Sequence, residues 1–208
     1  MIIIDVEQGS EQWLRARAGI PTCSDFKILL MEGKTKGSES LTRRTLLRKK
    51  AGEIITGEPM ESYSNADMER GKVMEEEARN YYAFMADAVP KRIGFVRNGQ
   101  KGCSPDSFIG KNGMLEIKTA FPHIMIEMIE KDEFPTEHKA QCQGGLWTCE
   151  REWIDISVYW PKMPPFIKRA YRDEVYIRQL SNAVDQFNEE LATLVDRIKA
   201  YGGQREAA

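Results

Sequence analysis

The chain has 208 residues, with 30 Lys+Arg against 32 Asp+Glu, a net charge of −2 and a pI near 5.9. Hydrophobic residues at 41% and charged residues at 30% supply a packed core. They exclude a disordered chain, which would carry fewer apolar residues and a larger net charge. The near-neutral total also counts against a surface coated in positive charge for nonspecific nucleic-acid binding.

In chain order, Ser10-Glu11-Gln12 before Trp13 and Leu14 predicts a capped short helix ending at Gly19. Ser24 to Glu32 predicts a second helix, with Phe26, Leu29 and Leu30 on one face and Gly33 as its stop. A polar loop over 33–38 follows, then a helix opened by Ser40 and running towards Gly57, then another from about Asn65 to Ala86. The middle changes character. Arg92 to Arg97 predicts a strand, Asn98-Gly99 a hairpin turn, Ser107 to Gly110 a short strand, and Met114 to Thr119 a further strand after the Lys111-Asn112-Gly113 turn. Helices are predicted after Pro122 and over about Thr136 to Thr148, and strands over Trp153 to Trp160 and Phe166 to Arg172. The last helix carries Val184, Phe187, Leu191, Leu194 and Ile198 at alternating three- and four-residue spacings, an apolar stripe that wants a partner.

This order predicts an α/β (α+β) fold, a central mixed β-sheet flanked by helices. With no linker or repeat in sight, one domain over 1–208 is expected, with a helical part over 10–88, a sheet core over 92–172 and a C-terminal helix over 174–200. No apolar run approaches the ~18 residues of a membrane span. Met1-Ile2-Ile3-Ile4-Asp5 lacks the basic start and apolar length of a secretory signal. Cys23, Cys103, Cys142 and Cys149 show no CxxC spacing, so free thiols in a reducing cytoplasm are expected. His123 and His138 lack finger-like spacing to a cysteine pair, which counts against zinc.

The segment richest in chemistry is Ser104-Pro105-Asp106, nine residues, then Glu116-Ile117-Lys118. Alternation along a strand puts Glu116 and Lys118 on one face, about 6.6 Å apart, and a hairpin brings Asp106 beside Glu116. Two hard oxygen ligands suit Mg²⁺, and the backbone carbonyl of Ile117 can complete the shell. Such an ion can polarise a phosphodiester, while a nearby lysine orients or deprotonates water. The same residues also fit an ordinary hairpin with an exposed Glu/Lys pair, because D-x(n)-E-x-K is short and degenerate.

Pro-Asp, nine residues, then Glu-x-Lys resembles the signature of the PD-(D/E)xK nuclease superfamily, with its restriction-endonuclease-like core. The wider text resembles the phage lambda exonuclease, or YqaJ-type viral recombinase, family. Gln8 to Arg17 with Gly19, Thr22 and Ser24 is similar to its first motif, and Gly71 with Glu75, Ala78 and Arg79 to its helical motif. Cys103 to Asp106, Leu115 to Lys118, and Gln141-Cys142-Gln143 before Trp147 are similar to three more, in the same order. The resemblance spans about Gln8 to Thr148.

This resemblance implies a single nuclease domain. It makes Asp106 and Glu116 metal-binding acids, Lys118 the catalytic lysine, and Glu75 a helix glutamate at the metal site, directly or through water. Glu75 alone, beside Glu76 and Glu77, reads as a solvated acidic face, and only the resemblance places it at the site. Arg17 and Ser24 match residues that hold the 5′-phosphate of a DNA end, completed by Ser104 and Gln141. An arginine fork and hydroxyls suit a phosphate, although Ser24 also suits a helix cap and Trp13 suits the core. Met68 matches an apolar wedge that splits the duplex end, or is plain core packing. Two departures are Gly144-Gly145, where larger residues are common, and Arg70, where a tryptophan precedes the glycine.

Lys34, Lys36, Arg43, Arg44, Arg48, Lys49 and Lys50 stand in one segment with a single acid, Glu39, a local charge of +6. That segment is a phosphate-contact candidate, or a solvated helix face with a loop. Lys34, Lys36, Arg43, Arg44 and Lys49 are its expected DNA contacts.

The activity implied is a Mg²⁺-dependent 5′→3′ exonuclease, with Mn²⁺ able to substitute. It would digest one strand of linear double-stranded DNA from a 5′-phosphorylated end, release mononucleotides and leave a 3′ single strand. The partners implied are DNA ends, a single-strand annealing protein and two further copies in a homotrimeric ring, with no membrane, in the cytoplasm of a bacterial host of a phage or prophage. The alternatives are a PD-(D/E)xK endonuclease of restriction or junction-cutting type, and a non-catalytic DNA-end binding protein.

Overall fold

A computed structural model of the chain describes residues 1–33, 40–60 and 66–203, with the backbone alone at 66–69 and 72. Strand β1 (Ile2–Ile4) comes first, and no sequence signal marked it. Helix α1 (Glu11–Arg17) is capped as expected: Ser10 Oγ accepts from the Trp13 amide at 3.2 Å. Helix α2 is only Phe26–Leu29, shorter than the run from Ser24 to Glu32. The Thr22 amide and hydroxyl both bond Asp25 Oδ2 at 2.9 Å, so this stretch is spent in a side-chain-closed turn before the helix. Helix α3 (Leu41–Thr56) starts on the Ser40 cap and ends at Gly57, and α4 spans Ala66–Met85.

The expected strand over Arg92 to Arg97 begins only at Phe95, and the residues just before it pair in a different sheet. Strand β2 (Pro90–Lys91) pairs with β5 (Ser107–Ile109), whereas β3 (Phe95–Asn98) pairs with β1 and with β4 (Lys101–Cys103). Gly94 permits the switch, because a Cβ there would lie 2.1 Å from the Val6 carbonyl oxygen. The hairpin at Asn98-Gly99 forms as its turn residues require, with Asn98 facing Lys101.

Strands β2, β5, β6 (Gly113–Thr119), β7 (Trp153–Tyr159) and β8 (Phe166–Tyr171) form a five-stranded sheet in the order β2-β5-β6-β7-β8. Only β6 and β7 run parallel. Their crossover carries α5 (Pro122–Lys131), a 3₁₀ turn (Thr136–His138) and α6 (Lys139–Thr148). The fold is the expected mixed sheet flanked by helices.

Alternation along β6 sets its two faces. Met114 joins the larger core with Phe26, Cys142, Leu146, Leu180 and Phe187, while Leu115 and Ile117 pack with Ala78 and Tyr82 of α4. Glu116 shares the Met114 side and is buried against α6. Gly144 lets α6 sit tightly on α2, since a Cβ there would lie 2.4 Å from the Phe26 ring. The departure at Gly144 is therefore a packing requirement.

Helix α7 (Glu174–Gly203) buries Val184, Phe187 and Leu191 against the body of the chain and contacts α2, α3 and α6. Each such side chain stabilises by roughly 1.5–3 kcal/mol, so most of the stripe finds its partner within the chain, with Ile198 left exposed. Among the described residues no helix is long and apolar enough to cross a membrane, and all four cysteines are free and buried.

Candidate active site

Strands β5 and β6 form an antiparallel pair with Ser107 facing Leu115, which carries Asp106 to the level of Glu116 and Ile117. The Ile117 amide donates to Asp106 Oδ2 at 2.5 Å. Lys118 Nζ and Gln141 Nε2 both donate to Glu116 Oε1, at 2.6 and 2.5 Å. Among the described residues neither Asp106 Oδ1 nor Glu116 Oε2 accepts a hydrogen bond. Each acid thus commits one oxygen to the protein and leaves the other without a hydrogen bond.

Charge follows the geometry. Burial, and then the Glu116 charge, push the Asp106 carboxyl well above the usual carboxylate range, against the pull of Lys118 and the Ile117 amide. Burial lowers the Lys118 pKa, but Glu116 and Asp106 outweigh it and hold the ammonium above its ordinary value. Paired with Glu116 at 2.6 Å, the Lys118 ammonium is placed to orient water and screen an anion.

Among the described residues no three His, Cys, Asp or Glu side chains converge on one point. Two carboxylate oxygens with a backbone carbonyl suit a hard divalent cation that keeps several waters. Glu75 lines the same cavity from α4. The buried Arg79 holds it by a short ion pair, donates to Ser107 Oγ at 3.1 Å and lies 3.5 Å from the Asp106 carbonyl. One guanidinium therefore ties the helix acid to the turn that carries Asp106.

The cavity has a volume of roughly 510 Å³ and brings Arg17, Ser24 and Ser104 together with the acids, Lys118 and Gln141. Arg17 Nη1 donates to Ser104 Oγ at 3.1 Å, and Arg17 Nη2 to Thr22 Oγ1 at 3.4 Å. The hydroxyls of Thr22 and Ser24 lie 3.0 Å apart. Burial lowers the Arg17 pKa despite nearby Asp25. The guanidinium stays charged, and a partly desolvated cation gains by facing an anion. Gln141 sits in the same cavity but is turned onto Glu116, so its bond serves the acids and not the Arg17 cluster.

Three residues had no site role assigned from the sequence. Trp13, read there as core, lines the cavity, donates its indole N–H to Ser104 Oγ at 2.9 Å and carries the Arg17 guanidinium 4.0 Å above its ring. Its signal was the four-residue spacing to Arg17 on one helix face. Gln8 Nε2 donates to the carbonyls of Ile93 and Pro105 at 2.8 and 3.0 Å, which pins the Pro105-Asp106 turn. Thr22 belongs to the Arg17 cluster. Only their place in the first motif of the family resemblance marks these two.

The basic segment divides. Lys34 and Lys36 lie outside the described residues, as does the side chain of Met68. Arg43, expected to contact DNA, is 8% exposed, ion-paired through both terminal nitrogens to Glu190 of α7 and set over Phe187, because α7 packs against this face of α3. Lys50 is likewise buried, paired with Glu53 at 3.1 Å. Arg44 and Lys49 are half-buried, and Arg48 is exposed.

Residues 12–152 match the profile of the YqaJ-like viral recombinase domain. The chain belongs to that family. The motif residues Arg17, Ser24, Glu75, Ser104, Asp106, Glu116, Lys118 and Gln141 all fall within the YqaJ-like span, and Gln8 just precedes it. The crystal structure of LHK-Exo in complex with dAMP is similar to this YqaJ-like chain at 26% identity and a TM-score of 0.83, covering 94% of this chain and 99% of that one. The crystal structure of an alkaline exonuclease (LHK-Exo) from Laribacter hongkongensis is similar at 25% identity, with the same TM-score and coverage. A phage related exonuclease from Haemophilus somnus 129PT, at 15% identity, a TM-score of 0.66 and coverage of 86% and 96%, shares the fold. No curated protein matches the chain.

Proposed function

We propose that this chain is a Mg²⁺-dependent 5′→3′ exonuclease that digests one strand of linear duplex DNA from a 5′-phosphorylated end. It releases mononucleotides and leaves a 3′ single strand for annealing. The observation that carries this reading is one cavity holding both the Asp106/Glu116/Lys118 set and the Arg17/Ser104 cluster. A nuclease is supported coarsely by the family and by the likeness to solved alkaline exonuclease structures. Release of mononucleotides draws on the LHK-Exo structure being a complex with dAMP.

Asp106 Oδ1, Glu116 Oε2 and the Ile117 carbonyl would hold the ion, with Glu75 nearby. A divalent cation bound there supplies Lewis-acid activation of water and of the scissile phosphate. The chain's own groups do the rest. The Lys118 ammonium faces the reacting anion and orients water, and Gln141 fixes the Glu116 rotamer. Arg17 and the hydroxyls beside it grip the terminal phosphate, which sets where the strand end stops. The family resemblance adds a ring-shaped homotrimer around the DNA and a single-strand annealing partner. A solution mass of three chains at working concentration is expected, and a mass of one chain would rule out the ring.

The test is 5′-labelled linear duplex with Mg²⁺, Mn²⁺ or EDTA, beside a covalently closed circle. Early release of label as mononucleotide, abolished by EDTA and absent from the circle, is expected. Cutting of the circle selects an endonuclease. Binding of ends without cleavage in any metal selects a non-catalytic DNA-end binding protein.

A further inference from the structure

Among the described residues, Ser104 Oγ receives two N–H donors, Trp13 Nε1 at 2.9 Å and Arg17 Nη1 at 3.1 Å. A hydroxyl oxygen has two acceptor lone pairs and one proton. With both lone pairs filled, the Ser104 proton has to point away from Trp13 and Arg17, and Ser104 lines the open cavity. The second hydroxyl pair is arranged the other way. Thr22 Oγ1 donates to Asp25 Oδ2 at 2.9 Å. Its contact with Ser24 Oγ at 3.0 Å is then made with the Ser24 proton. The Ser24 proton is consumed inside the protein, and the Ser104 proton is not.

We propose that Trp13 is a positioning residue for the 5′-phosphate. Together with Arg17 it makes Ser104 an obligate donor into the cavity, so that Ser104 rather than Ser24 is the hydroxyl that marks a phosphorylated end. Trp13 does this twice over, because its ring also carries the Arg17 guanidinium at 4.0 Å and holds that fork in register with the same oxygen. The ligand class is a phosphate monoester, whose oxygens accept and never donate when fully ionised. A hydroxyl aimed as a donor therefore favours it over a terminal 5′-hydroxyl. This inference rests on the phosphate-end reading above.

The experiment compares the rate on 5′-phosphorylated and 5′-hydroxyl linear duplexes for the wild type, Trp13→Phe, Ser104→Ala, Ser24→Ala and the Trp13→Phe/Ser104→Ala double variant. A charge-assisted hydrogen bond is at stake, so the phosphate preference is expected to fall about tenfold in Trp13→Phe, mainly through KM. Ser104→Ala is expected to fall at least as far, and Ser24→Ala by less. The double variant is expected to fall no further than Ser104→Ala alone, because Trp13 acts through that hydroxyl. A general loss of folding would lower both substrates together and leave the ratio. If Trp13→Phe does not fold, the order of Ser104→Ala against Ser24→Ala still decides which hydroxyl donates. A Trp13→Phe ratio equal to wild type, additive losses in the double variant, or a Ser24→Ala loss as large as that of Ser104→Ala overturns the proposal while leaving the phosphate pocket in place. A wild type indifferent to the 5′-phosphate overturns the pocket and the proposal together.

Discussion

Gln141 and Lys118 meet on a single atom: both donate to Glu116 Oε1, at 2.5 and 2.6 Å. One comes from the helix that crosses between the parallel strands, the other from the strand that carries Glu116. Between them they lock the carboxylate rotamer and turn Oε2 towards the cavity. Groups that orient a metal-binding acid typically matter by about 10–100-fold. Gln141→Ala is expected to raise the Mg²⁺ concentration for half-maximal activity at least about tenfold. The preference for phosphorylated ends should change far less, since Gln141 faces the acid. A magnesium titration of initial rates on both kinds of end checks it. Equal loss of phosphate preference would return Gln141 to the phosphate pocket.

The acids and the lysine are expected to be indispensable. Asp106→Asn keeps the shape and removes a charge, and Lys118→Ala removes the ammonium beside Glu116. Each is expected to lower the rate on linear duplex by at least about a hundredfold, the scale of a lost preorganised charge. The fold should persist, as read by circular dichroism. Wild-type digestion by either variant would rule out this site.

Arg43 and Lys49 lie on one helix and should separate cleanly. Arg43 is spent on Glu190 and Phe187 inside the packing of α3 on α7. Arg43→Ala is expected to cost about 1–3 kcal/mol of stability in urea, because Glu190 loses its buried partner. The salt dependence of DNA binding should stay as it is. Lys49→Ala is expected to leave stability nearly intact and reduce the slope of log K against log salt by about 1. A shallower slope for Arg43→Ala would put that residue back on the DNA.

A buried network beneath the sheet predicts the alkaline limit of stability. Tyr82 of α4 donates to Asp155 Oδ2 at 2.7 Å, and Arg169 holds both oxygens of Asp155 at 2.8 Å across the β7–β8 pair. Burial, and then Asp155, push the Tyr82 phenol well above its ordinary value. A raised acid pKa means that the native state keeps its proton longer than the unfolded chain does. The contribution is complete below the unfolded tyrosine value of about 10 and is lost as pH rises beyond it. Stability should therefore fall with pH above about 10, and less steeply in Tyr82→Phe, which also loses about 1 kcal/mol at neutral pH. Parallel pH dependences in urea melts of the two proteins would exclude Tyr82 as the cause.

The sequence by itself determined what depends on near neighbours. The Ser10 and Ser40 caps, the Asn98-Gly99 hairpin and the alternation of β6 are set within a few residues. So is the placing of Glu116 and Lys118 on one face, and the ordered motifs supplied the family. Only the tertiary structure decided what depends on distant ones. Gln8 reaches Pro105 across 97 positions and Trp13 reaches Ser104 across 91, so no periodicity could announce either contact. Charge counting could not tell Arg43 from Arg48, because the packing of α7 buries one and leaves the other exposed. The division of roles within the cavity has the same origin. Hydroxyl and amide groups face whichever partner the fold brings within about 3 Å, and that partner is fixed by packing, whereas residue type fixes only what the group can donate or accept.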